Sequence, residues 1–98
     1  MIIWITGKSG AGKTTAAREL VSQMKNVVHL DGDEMRATIS ADLGFTDKDR
    51  YENNMRVARL AELLGKQGFN VVISTICPDM DDLRTQVWRI TRCRFIHL

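Results

Sequence analysis

Apolar positions along this chain arrive in two rhythms. Met1 to Thr6 is a short, almost wholly apolar run rich in β-branched residues. A run that is apolar on both sides reads as a buried strand. From Thr14 to Met24 the period lengthens: Ala17, Leu20, Val21 and Met24 form a helical stripe. Val27 to Leu30 is a second strand, stopped by Asp31-Gly32-Asp33, and a short helix is expected from Glu34. Leu43-Gly44-Phe45 is a turn, and Thr46 with Asp49 three residues on resembles a capping box. A long helix then runs to about Lys66, with Val57, Leu60, Ala61 and Leu64 on one face, and Gly68 ends it. Asn70 to Ile76 is a third strand. Pro78 and Asp79 are expected to start another helix, with Leu83, Val87 and Ile90 inward, and Arg94 to Leu98 begins a fourth strand.

The order is β-α-β-α-α-β-α-β. Strands alternating with helices imply right-handed crossovers, and so a three-layer α/β/α fold around a parallel sheet of about four strands. In such sheets ligands bind beyond the carboxyl ends of the strands. Three polar segments follow strands here: the glycine-rich turn, Asp31 with Asp33, and Ser74 to Asp79. Their convergence argues for one active site.

Composition narrows the class without choosing the chemistry. At 98 residues, one domain is the most the chain supports, and residues 1–98 are taken as that domain. Its hydrophobic share of 44% is enough for a core, and a net charge of +2 suits a protein that handles anionic ligands without demanding nucleic acid. Arg84, Arg89, Arg92 and Arg94 read as a solvated helix face rather than a polyanion site. Cys77 and Cys93 match no zinc spacing and are expected to be free thiols. No apolar run would span a bilayer, and no basic segment precedes an apolar one at the start. The expected setting is the cytoplasm, with no membrane partner.

The stretch GKSGAGKTT carries the first specific chemistry. Gly7, Gly12, Lys13 and Thr14 fill G-x-x-x-x-G-K-[ST], the P-loop pattern, between a strand and a helix as that pattern requires. The phosphate-binding set is Gly7, Ser9, Gly10, Ala11, Gly12, Lys13, Thr14 and Thr15. Glycines let backbone N–H groups face one anion, and the helix that follows adds its positive end. Lys13 would reach the β- and γ-phosphates of ATP, and the Thr14 hydroxyl would ligate Mg²⁺. The guanine-reading N-K-x-D of a GTPase is missing, and strand three ends in Ser-Thr-Ile-Cys rather than in a motor's carboxylates. Carboxylates come directly after strand two instead, the layout of small-molecule kinases.

In LDGDEMR, Asp31 and Asp33 flank a glycine. One could hold a Mg²⁺-bound water while the other orients or deprotonates an acceptor hydroxyl. The plainer reading is that they only cap the short helix. Arg36 and Arg50 could fork onto an anionic group, Asn53 could read a base or ribose, and Phe45 could stack on an aromatic ring. Taken singly, each is as easily a surface arginine, a cap asparagine or a core phenylalanine. Trp4, His29 and His97 read as structural, as do Asp79, Asp81 and Asp82 in a helix's first turn. Trp88 is a candidate for a surface or subunit contact, so a homodimer stays open.

Taken together, GKSGAGKTT, LDGDEMR, DLGFTDKDRYENNMR and the Ile-Cys-Pro after strand three resemble the adenylylsulfate (APS) kinase family. The resemblance implies a P-loop NTPase-type kinase that phosphorylates the 3′-hydroxyl of APS with ATP and Mg²⁺, giving PAPS for sulfate activation. It implies Lys13 and Thr14 at the phosphates and metal, Asp31 at the metal through water, and Asp33 as base. Arg36, Phe45, Arg50, Asn53, Ile76 and Cys77 would form the acceptor site. The sequence departs from the family where Cys77-Pro78 replaces Ser-Pro and where Met55 stands for one of two arginines. The family's lid would follow the last strand, so the sequence is expected to be a C-terminally incomplete or naturally short form with weak or no turnover by itself. The alternatives are a kinase for another anionic, nucleotide-like acceptor and a non-catalytic nucleotide-binding remnant.

Overall fold

The computed structural model describes residues 1–8, 10–78 and 82–98. Its elements follow the expected order: β1 (Ile2–Thr6), α1 (Lys13–Gln23), β2 (Val27–Asp31), α2 (Gly32–Ala37), α3 (Asp47–Lys66), β3 (Asn70–Thr75), α4 (Leu83–Thr91) and β4 (Arg94–His97). All strand pairs are parallel, in the order β2-β3-β1-β4. Strand alternation divides the core. Ile3, Ile5 and Val72 face α1, where Ala17 packs with Leu20 and Val21. Trp4, Val71 and Ile73 face the other way, onto Val57, Ala58 and Ala61 of α3 and Leu83 and Val87 of α4. The central strands β1 and β3 are therefore buried on both faces, which is why they read as continuous apolar runs. The edge strand β4 is less covered, with Arg94 and His97 exposed and Phe95 and Ile96 half-buried. Among the described residues, no helix is long and apolar enough to cross a membrane.

The strand order makes the crevice. The connection from β1 to β2 passes over β3 in one direction, and that from β3 to β4 passes over β1 in the other. The loops after β1 and β3 part at the carboxyl ends of adjacent strands, the switch point where open α/β sheets bind ligands.

Several boundaries differ from the sequence reading, each for a local reason. The short helix α2 begins at Gly32 rather than Glu34, because the Asp31 carboxylate accepts the Asp33 N–H and caps it. Strand β3 ends at Thr75, leaving Ile76 outside the ladder. Helix α4 is described from Leu83, and the expected start at Pro78 and Asp79 runs into residues 79–81, outside the described ones. Asp79 and Asp81 lie outside the described residues, so the first-turn expectation is answered only at Asp82. There the carboxylate accepts from Tyr51 Oη and Gln86 Nε2 and caps no helix N–H. The C-terminus of α3 meets the expectation: Phe69 N–H donates to Leu64 O and Gly68 N–H to Gly65 O, with Gly68 at φ +95°. That is a Schellman cap, and it needs a residue at ease in the left-handed region. Both cysteines are buried, and neither is in a disulfide.

Candidate functional site

Helix α1 differs from α2 and α3 at its start. Asp31 caps α2 and Thr46 caps α3, each with its side chain, and both helices carry acidic residues in the first turn. Helix α1 has no side-chain cap and no acidic first turn. Its N-cap, Gly12, sits at φ +90°, a left-handed turn that leads the loop into the helix. A helix leaves its first N–H groups unpaired unless something satisfies them, so this end keeps its donors and its positive pole for an anion. Lys13 Nζ donates to Lys8 O at 2.9 Å, so its ammonium folds back over the loop.

In front of this end lies a cavity of about 340 Å³. Gly10, Gly12, Lys13, Thr14 and Thr15 line one side, and Asp31, Gly32, Asp33, Ser74, Thr75 and Ile76 the other. Of the expected phosphate set, Ser9 lies outside the described residues. Ala11 is exposed and Gly7 buried, and neither lines this cavity. The two aspartates behave differently. Asp31 Oδ1 accepts from Ser74 Oγ at 2.9 Å and Oδ2 from the Asp33 N–H at 3.1 Å. Asp33 is exposed, and among the described residues nothing donates to its carboxylate.

A second cavity of about 190 Å³ adjoins the first and is lined by Gly32, Asp33, Arg36, Phe45, Arg50, Asn53, Thr75 and Ile76. Arg36, Phe45, Arg50, Asn53 and Ile76, scattered over forty positions of sequence, are thus brought together with Asp33. The turn before α3 is what gathers them. Asp49 Oδ2 accepts the Gly44 N–H, Arg36 Nη1 donates to Gly44 O, and Arg50 Nε donates to Phe45 O. The Arg36 guanidinium lies 4.9 Å from the centre of the Phe45 ring, a cation–π contact, while the ring itself stays 73% exposed. The capping box is therefore half formed. Thr46 Oγ1 accepts the Asp49 N–H, but the Asp49 carboxylate serves Gly44 instead of the cap. Asn53 is 3% exposed, and its Oδ1 has no hydrogen-bond partner among the described residues. A buried, unpaired amide oxygen in a cavity wall is costly unless a ligand donates to it.

Cys77 does not join this cavity. It is 3% exposed and lines another hollow with Gly7, Lys8, Ile76, Pro78, Arg84 and His97, so that Ile76 is common to that hollow and the second cavity. The sequence reading placed it in the acceptor set; here it adjoins Ile76, which does line the second cavity.

Other site-adjoining residues were read as structural or passed over. Trp4 Nε1 donates to Thr75 Oγ1, which donates to Asn54 Oδ1; Asn54 Nδ2 donates in turn to Arg50 O and Ile76 O. This buried chain ties both walls of the second cavity to β1. His29 Nε2 lies 2.7 Å from Ser74 Oγ. The period of two along β2 puts His29 and Asp31 on one face and could have linked them. Which strand lies beside them could not be read that way.

For a metal, the described residues hold no group of three or more His, Cys, Asp or Glu side chains. The oxygen donors of the residues lining the first cavity are the carboxylates of Asp31 and Asp33 and the hydroxyls of Thr14, Thr15, Ser74 and Thr75. Such a hard-oxygen set fits Mg²⁺, which keeps most of its waters and leans on substrate phosphates.

The family profile described as adenylylsulphate kinase matches residues 1–98. An adenylyl-sulfate kinase of Bacillus pumilus is 47% identical over 87 residues, covering 85% of this chain and 44% of that protein. The chain thus spans a little under half the length of the curated relatives it matches. The Mycobacterium tuberculosis APS kinase CysC, solved in complex with AMPPNP and APS, superposes with a TM-score of 0.81 at 34% identity. That match covers 98% of this chain and 59% of that one. A hexameric APS kinase from Thiobacillus denitrificans gives a TM-score of 0.83 at 31% identity, over 98% of this chain and 21% of that one.

Proposed function

The chain belongs to the adenylylsulphate kinase family, and we propose that its protein transfers the γ-phosphoryl group of ATP to the 3′-hydroxyl of adenylylsulfate. The observation that carries this reading is that Asp33 lines both cavities, the one at the uncapped helix end and the one holding Arg36, Phe45, Arg50 and Asn53. A carboxylate on a shared wall stands between a donor phosphate and an acceptor hydroxyl.

The roles follow from what each group can offer. Gly10 to Thr15 and the first N–H groups of α1 hold the phosphates, and Lys13 leaves Lys8 O to bind them. Thr14, with Asp31 through a water, would hold Mg²⁺, which neutralises charge on the phosphate oxygens when bound. Arg36 and Arg50 each spend one donor on the turn and keep the rest of the fork for the acceptor's anionic phosphosulfate. Asn53 Oδ1 takes an N–H donor such as the adenine amine, and Phe45 stacks on the ring. Asp33 accepts the hydroxyl proton as the 3′-oxygen bonds to phosphorus. The β,γ-bridging P–O bond breaks, and ADP leaves. Cys77 is left out of the acceptor set because it does not line that cavity.

The test is PAPS formation by the full-length protein from ATP and APS, run beside other nucleotide-like acceptors. APS is expected to be the preferred acceptor. Asp33→Asn is expected to lower kcat about a thousandfold while ATP still binds. Turnover with a different acceptor would replace the substrate, and ATP binding without any acceptor-dependent turnover would remove the kinase reading.

A further inference from the structure

We propose that His29 and Ser74 are positioning residues for this site, acting through the carboxylate of Asp31; the proposal rests on the kinase reading above. The three residues share one face of the sheet at its ligand-binding end. His29 and Asp31 are two apart on β2, and Ser74 of β3 lies opposite Asp31 in the parallel register. Ser74 is 2% exposed, and its hydroxyl donates to Asp31 Oδ1 at 2.9 Å.

A serine hydroxyl has one proton to give. Here it goes to the carboxylate, so the ring nitrogen 2.7 Å from Ser74 Oγ must be the donor. The chain runs His29 Nε2–H to Ser74 Oγ–H to Asp31 Oδ1, and it holds the imidazole with its proton on Nε2. Asp31 Oδ2 is pinned independently by the Asp33 N–H. Both oxygens of the carboxylate are therefore held from the protein side. A carboxylate accepts about four hydrogen bonds, so about two positions remain for ligands in the cavity that also holds Lys13 and Thr14.

This arrangement divides the two aspartates. Asp31 becomes a rigid acceptor suited to ordering a metal-bound water, while Asp33 stays available for proton transfer. His29 lines neither cavity and touches no reacting atom; it works only through Ser74. Outer partners of this kind set the orientation and basicity of the group they hold.

The experiment compares the wild-type chain with Ser74→Ala, His29→Leu and His29→Gln, which keeps an N–H near the Nε2 position. Affinity for a non-hydrolysable ATP analogue is measured with and without Mg²⁺, and the His29 ring is followed by ¹⁵N NMR. Ser74→Ala and His29→Leu are expected to weaken Mg²⁺-dependent binding about tenfold and to leave Mg²⁺-free binding where it was. His29→Gln recovers most of the loss, and the wild-type ring carries its proton on Nε2. Equal losses with and without Mg²⁺, no loss at all, or a ring protonated on Nδ1 alone would each overturn the proposal. None of these readouts uses an acceptor, so a protein that fails to phosphorylate APS would unseat the function and still decide this point.

Discussion

Side chains in this molecule are assigned by who shares their donors. Arg56 shows it away from the cavities: its guanidinium donates to Asp42 Oδ1 at 2.6 Å and Oδ2 at 3.0 Å, and to Ile39 O. Those hydrogen bonds hold the Asp42 carboxyl below its ordinary value of 3.8, and they keep Arg56 more firmly charged. A depressed folded-state value means that the pair's stabilisation is complete above pH 3.8 and is lost as pH falls through the lower, folded value. An NMR titration should find the Asp42 midpoint below 3.8, and Arg56→Met should return it to that value. Both groups are solvent-accessible, so the effect on unfolding is expected to be small. At this scale the sequence was informative about residue type and silent about partners. Arg36 and Arg50 were legible only as candidate anion ligands, and nothing in their spacing indicated that each would also hold the Gly44-Phe45 turn. The amide of Asn54 and the hydroxyl of Thr75 were legible only as polar groups, because their bonds cross from α3 to β3.

Among the elements, α3 links stability to the site. Its cap, Thr46, accepts the Asp49 N–H, and the Asp49 carboxylate reaches back to Gly44. Thr46→Ala should cost about 1 kcal/mol in urea unfolding, and Thr46→Ser should restore it. Element existence and order were readable because each depends on a local period and local stops. Helix starts were less so. Asp31 caps α2 two residues earlier than expected, because a carboxylate can accept an N–H two residues on and begin the helix directly at the strand end. The expected start of α4 at Pro78 and Asp79 runs into residues outside the described ones, and the helix is described from Leu83.

Across the whole molecule, the buried chain from Trp4 through Thr75 to Asn54 joins the central strands to α3 beneath the second cavity. Thr75→Val would leave the Trp4 N–H and the Asn54 oxygen unpaired in a dry interior. A loss of about 3 kcal/mol is expected by urea unfolding, with Thr75→Ser recovering most of it. The sequence by itself determined the parallel α/β class, the phosphate-binding loop and the set of polar residues that follow the strands, because loop glycines, helical stripes and β-branched runs act over a few residues. Only the tertiary structure decided the order β2-β3-β1-β4. That order decided, in turn, that Ser74 lies against Asp31, that one wall carrying Asp33 serves two cavities, and that Cys77 lines neither. Ser74 and Asp31 are 43 residues apart in the chain, and contacts of that kind arise from how two helical layers bury both faces of one sheet.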